Sequence, residues 1–111
     1  MSDCRCFSPP LDYRDYEKTF VGIDMTNGRC GEVTLEICKH CATKWLHYFV
    51  GYEAFTGSGR WFRGPISDSA AATIIPDSAI AYLEQLPWHF VGGSYYQSTG
   101  MRTSGAIRAD L

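Results

Sequence analysis

The sequence predicts an α+β fold, a small antiparallel β-sheet with one C-terminal helix and an N-terminal arm fastened by paired cysteines. Three observations carry that expectation. In Glu32-Val33-Thr34-Leu35-Glu36-Ile37-Cys38, apolar and polar residues alternate with the period of a half-buried strand. Behind Pro76 and Asp77, residues Ala79, Ile80, Leu83 and Leu86 form an apolar stripe at helical spacing. Cys4 and Cys6 stand at the start of the chain, while Cys38 and Cys41 stand at the end of the predicted strand.

Taken in order, residues 1–10 close on Ser8-Pro9-Pro10, which cannot form the interior of a helix or of a central strand. They form an arm that is ordered only if something holds it. Tyr13, Tyr16 and Phe20 then recur at helical spacing among charged residues, which predicts a short amphipathic helix over residues 11–20, with an extended arm as the other reading. Phe20-Val21-Gly22-Ile23 reads as a short strand and Thr26-Asn27-Gly28 as a turn. The alternating strand follows and delivers Cys38 to a turn filled by Lys39 and His40.

The aromatic run over residues 45–52 reads as the returning strand, although Trp45 and Phe49 also have helical spacing. Thr56-Gly57-Ser58-Gly59 supplies a turn into a third strand, Arg60-Trp61-Phe62-Arg63, and the sum is an antiparallel meander. Pro65 and Ser67-Asp68-Ser69 break it, and residues 70–75 are too short to classify. Pro76 and Asp77 suit the start of the helix and Pro87 its end. Trp88-His89-Phe90-Val91 returns to the sheet, followed by Gly92-Gly93 and a Tyr95-Tyr96 segment. From about Gln97, Ser, Thr, Gly and Arg predict a loose or weakly paired tail. With no internal repeat and no linker, residues 1–111 read as one domain.

Composition narrows the functional classes. Hydrophobic residues make up 45% of the 111, and aromatic residues 14%, which excludes a disordered chain. A net charge of −2 removes the broad attraction expected of a general nucleic-acid binder, leaving only a local basic patch for that role. No apolar run approaches the roughly 18 residues of a membrane span. The first residues, with Asp3 and two cysteines, lack the basic and apolar stretches of an export signal, so a cytoplasmic location is expected. Five cysteines in that setting read as reduced thiols, and closely paired ones as metal ligands.

Two residues between Cys38 and Cys41 let both sulfurs of a tight turn face one point, and a second pair arriving from elsewhere completes a tetrahedral site for a soft divalent ion. Cys30 is a further thiol that would replace one arm cysteine, and His40 and His47 would make a mixed set; the ordinary roles are a buried apolar thiol for Cys30 and hydrogen-bonded or exposed histidines. The strand-turn-strand around Cys38 and Cys41 resembles the knuckle of zinc-ribbon proteins over residues 33–48, together with the first six. That resemblance implies Cys4, Cys6, Cys38 and Cys41 as the ligands of one structural Zn2+. The chain departs from the ribbon pattern at Ala42, where a glycine is usual, and at Cys4-Arg5-Cys6, which has one intervening residue in place of two. Four protein ligands leave no open position for water, which favours a structural over a catalytic metal.

The second cluster of interest is Gly57-Ser58-Gly59-Arg60-Trp61-Phe62-Arg63-Gly64, which lacks the Gly-Lys-Ser/Thr ending of a phosphate loop. Its ordinary reading is a hairpin with Trp61 in the core. Arginine and aromatic residues are also enriched at binding hot spots, so Arg60, Trp61, Arg63, Trp88, Tyr95 and Tyr96 are the candidate partner-binding residues. The same residues would stack bases and contact phosphates in a nucleic-acid binder. For an enzyme, Cys30 has no histidine at a recognised spacing, a spatial Cys30–His89 pair stays open, and no carboxylate pair has a diagnostic arrangement. The sequence therefore points first to a non-catalytic module that binds another protein, in the general character of a small bacterial inhibitor or immunity protein. A zinc-ribbon-like nucleic-acid-binding or regulatory protein comes second, and a thiol-dependent enzyme third.

Overall fold

The computed structural model describes residues 4–7, 13–26, 31–51, 59–93 and 96–107. Six strands run β1 (Tyr16–Asp24), β2 (Gly31–Cys38), β3 (Lys44–Val50), β4 (Arg60–Pro65), β5 (His89–Gly93) and β6 (Ser98–Thr103), paired in chain order as one antiparallel meander. Two short helices, α1 (Asp68–Thr73) and α2 (Ala79–Gln85), lie between β4 and β5, with a 3-10 turn at Pro76–Ser78 leading into the second.

The expected α+β arrangement with one C-terminal helix is overturned: the sheet dominates, the helices are 6 and 7 residues long, and the last described element is a strand. The helical stripe after Pro76 was real, but its first residues wind as a 3-10 turn and Leu86 is already extended. A residue before proline is pushed out of the helical region, so Pro87 ends α2 one position early. Ser67-Asp68-Ser69, read as a break, instead starts α1, because the Ser67 hydroxyl caps it by accepting from the Ala70 amide at 3.2 Å.

The predicted amphipathic helix over residues 11–20 is likewise replaced, by a 3-10 turn at Tyr13–Asp15 and by β1, which pairs with β2 from Tyr16 opposite Cys38 to Asp24 opposite Gly31. A bulge between Phe20 and Gly22 bends this strand, and Gly22 has φ +154°, with Pro76 so close that a Cβ would meet its ring at 2.8 Å. Residues 98–103, expected to be loose or weakly paired, form β6 and pair with β5.

Strand alternation gives the sheet two faces. Val33, Leu46, Tyr48, Val50, Phe62 and Val91 pack on one side with Ile66, Ala79 and Leu83, so the helices cover that face. Burying such side chains stabilises by about 1.5–3 kcal/mol each relative to exposure. The opposite face carries a smaller cluster of Cys6, Tyr16, Cys38, Trp45 and Phe90 at one end. The predicted turns at Asn27-Gly28 and at residues 56–58, and Cys30, lie outside the described residues.

Candidate metal centre

Cys38 ends β2, and the turn after it is closed on itself. The Ala42 amide donates to the Cys38 carbonyl at 2.9 Å, and the Cys38 amide donates to the Thr43 carbonyl at 3.0 Å. Closure requires a left-handed residue after the second cysteine, and Ala42 takes it, with φ +63°. The departure from glycine at this position therefore changes the residue without changing the backbone. The turn is tied to β1 as well: the Lys39 amide donates to the Asp15 carbonyl at 2.8 Å, and His40 Nε2 lies 3.1 Å from Asp15 Oδ1.

The other pair comes from the arm. A 3-10 turn at Arg5–Phe7, closed by the Phe7 amide donating to the Cys4 carbonyl at 3.0 Å, lets cysteines separated by one residue serve a common point. Phe7 fixes the arm to the sheet, its ring centroid 4.9 Å from that of Trp45 and 6.2 Å from that of Trp88. Trp88 in turn packs on Phe90 at 5.2 Å. Aromatic contacts of this kind add about 0.5–1.5 kcal/mol beyond area burial.

The four sulfurs converge. Cys4 Sγ is 3.5 Å from Cys38 Sγ, Cys6 Sγ is 3.5 Å from Cys41 Sγ, and all four lie within 4.8 Å of one another. A tetrahedron with metal–sulfur bonds near 2.3 Å has edges of about 3.8 Å, so the spacing fits one ion. The four are free thiols. Cys6 and Cys38 are buried, Cys4 partly so, and Cys41 exposed.

Four thiolates and a divalent ion leave a charge near −2, which backbone amides and hydroxyls must stabilise. The His40 amide is 3.4 Å from Cys38 Sγ, and the Thr43 hydroxyl is 3.1 Å from Cys41 Sγ. That hydroxyl is the main reason the Cys41 thiol is pulled down to about 6, whereas burial pushes the Cys6 thiol up. Protons therefore leave the set unequally, and a bound cation would supply the charge that ionises the rest.

Among the described residues, these four cysteines are the one group of three or more His, Cys, Asp or Glu side chains close enough to share a metal ion. His40 is turned toward Asp15, and His47 stacks on Trp61 with centroids 6.1 Å apart, so neither histidine belongs to the set. Asp15 and Thr43 support the site but were not singled out from sequence. Thr43 follows Cys41 by two residues, the only cue the chain offered, and nothing in the sequence links Asp15 to the turn.

The candidate partner-binding residues are divided between the faces. Trp61 and Arg63 border a cleft on the open face, and Trp88 lies nearby in the aromatic cluster beside the thiols, under Arg102, whose Cζ is 4.2 Å from its ring centroid. Tyr96 packs edge-on against Phe62 within the helix-covered core. Arg60 and Arg63 are 1% and 4% exposed. Tyr95 lies outside the described residues. No described helix is long and apolar enough to cross a membrane. Comparison with known protein families, with curated proteins and with solved structures gave no match.

Proposed function

We propose that the chain is a non-catalytic protein-binding module whose N-terminal arm is fastened to the sheet by one structural zinc ion held by Cys4, Cys6, Cys38 and Cys41. The observation that carries the metal reading is the convergence of four free thiols from segments more than 30 residues apart, 34 between Cys4 and Cys38. Zinc is favoured over harder cations because every donor is sulfur, and over a catalytic metal because four protein ligands close the coordination shell. Apparent binding energies for such sites are on the order of 10 kcal/mol, comparable to the whole stability of a domain.

The protein-binding reading draws support from strand β1, which lies at one edge of the sheet. It and the residue after it expose Phe20 (59%), Ile23 (37%) and Met25 (70%). An edge strand offers unpaired backbone groups to an incoming strand, and neighbouring apolar side chains supply contact area. The nucleic-acid alternative needs arginines at the surface, and the burial of Arg60 and Arg63 weighs against it.

The test is a pull-down from the native cell with wild type and with Phe20→Asp. A partner recovered in stoichiometric amount by wild type and lost with the variant supports the reading. Equal recovery by both, or salt-sensitive nucleic acid as the only bound species, contradicts it.

A further inference from the structure

The open face of the sheet holds a cleft of about 180 Å3 lined by Tyr16, Lys18, Glu36, His47, Trp61, Arg63 and Thr99. Its base is an ion pair that core packing does not require. Arg63 Nη1 is 2.5 Å from Glu36 Oε1, with side chains only 5% and 3% exposed, and Lys18 Nζ lies 3.7 Å from Glu36 Oε2 at the rim. Withdrawing such charges from water costs several kcal/mol per ion, and an apolar pair of the same size is often more stable. The guanidinium also stacks on Tyr16, with Cζ 4.1 Å from the ring centroid, while its Nε and Nη2 have no hydrogen-bond partner among the described residues. A charged group held at such cost beside a cleft is a mark of a binding site.

We infer that this cleft binds a small planar carboxylate, with Lys18 and Arg63 attracting the carboxylate and Trp61 providing the stacking platform. Three features of the cleft select that class. Lys18, Arg63 and Glu36 sum to one positive charge, which a monoanion neutralises. His47 adds none at neutral pH, because burial holds it down to about 4. The platform is built from a glycine opposite a tryptophan: Trp61 pairs with Gly92, and a Cβ there would stand 2.5 Å from the indole, so only glycine lets the ring lie across β5 toward Thr99. Finally, a cavity of about 150 Å3 holds one benzene ring, so the volume suits a single ring with a small substituent.

The experiment uses the metal-loaded full chain and benzoate as the probe, followed by the shift of the backbone amide resonance of Thr99, a cleft residue that every variant below retains. Benzoate is expected to saturate with a Kd of about 1 mM, equivalent to about −4 kcal/mol. Benzamide, isosteric but neutral, should bind at least about tenfold more weakly, and so should benzoate to Lys18→Gln, a change at a rim residue. Trp61→Leu should weaken benzoate more than acetate. Absence of benzoate binding overturns the inference, as does equal affinity for benzamide, or for acetate. Unchanged benzoate affinity in both Lys18→Gln and Trp61→Leu overturns it too. None of these results depends on the identity of the metal.

Discussion

The Ala42 amide donates to the Cys38 carbonyl at 2.9 Å while Ala42 itself holds φ +63°. A residue with a Cβ pays about 1–2 kcal/mol for that left-handed conformation, and glycine avoids it at a backbone-entropy cost of about 0.5–1 kcal/mol. Ala42→Gly is therefore expected to raise the stability of the metal-loaded protein by roughly 0.5–1 kcal/mol. Urea unfolding checks it: the midpoint should rise with the slope unchanged. Ala42→Val should lower it, since a β-branched residue fits a positive φ worst.

The core end of the sheet depends on a second pair. Tyr48 donates to Asp24 Oδ2 at 2.6 Å, and both residues are buried. Burial opposes ionisation of Asp24, but the bonds from the Thr26 hydroxyl, Tyr48 and the Thr26 amide prevail and hold its carboxyl below the usual value. Tyr48→Phe removes a bond to a charged acceptor and should cost about 1.5–3 kcal/mol. A loss below about 0.5 kcal/mol in denaturant unfolding would contradict this account.

Gly31 faces the same ring. A Cβ at this position would run into the ring of Tyr48, which is fully buried, while Gly31 itself is paired with Asp24 of β1. Gly31→Ala should lose about 3 kcal/mol or more, at the upper end of overpacking costs. Partial rescue by Tyr48→Leu, which vacates the space, identifies the clash as the cause.

Acid should weaken the fold partly through His47. Its value falls from 6.5 to about 4 in the native protein, chiefly by burial. Between those pH values the unfolded chain binds a proton that the native state refuses, so stability drops as pH falls through that window and is whole above it. His47→Gln should flatten the dependence of the unfolding free energy between about pH 6.5 and 4, while acid release of metal from the thiols persists in both proteins. Parallel pH profiles for the two proteins would refute the assignment.

Much of the sheet was legible because its strands alternate or carry dense aromatics. The predicted strand ending at Cys38 became β2, and the Arg60-Trp61-Phe62-Arg63 strand became β4. The N-terminal strand was legible only in its second part, Phe20-Val21-Gly22-Ile23; its first part was not, for a geometric reason: Tyr16 and Phe20 are four apart, a spacing that places residues on one face in a helix and in a strand alike. Only pairing with β2 decides between them, and pairing partners are not local information. β6 was legible no further than as a loose or weakly paired tail, since Ser98, Thr99 and Gly100 offer no apolar face and the strand is held by its neighbour's backbone. The thiol site was the most legible feature, because ligand spacing is written in sequence. The burial of Arg60 and Arg63 was not, because a charged residue on a strand normally implies water.

The central claim is that one metal ion joins the arm to the sheet, and metal content measures it most directly. Protein purified without added metal should contain one zinc per chain by elemental analysis, and Cys38→Ser and the Cys4→Ser, Cys6→Ser double variant should each lose it. Wild-type protein free of metal with all thiols open to a thiol reagent would contradict the account, as would full zinc retention in the double variant.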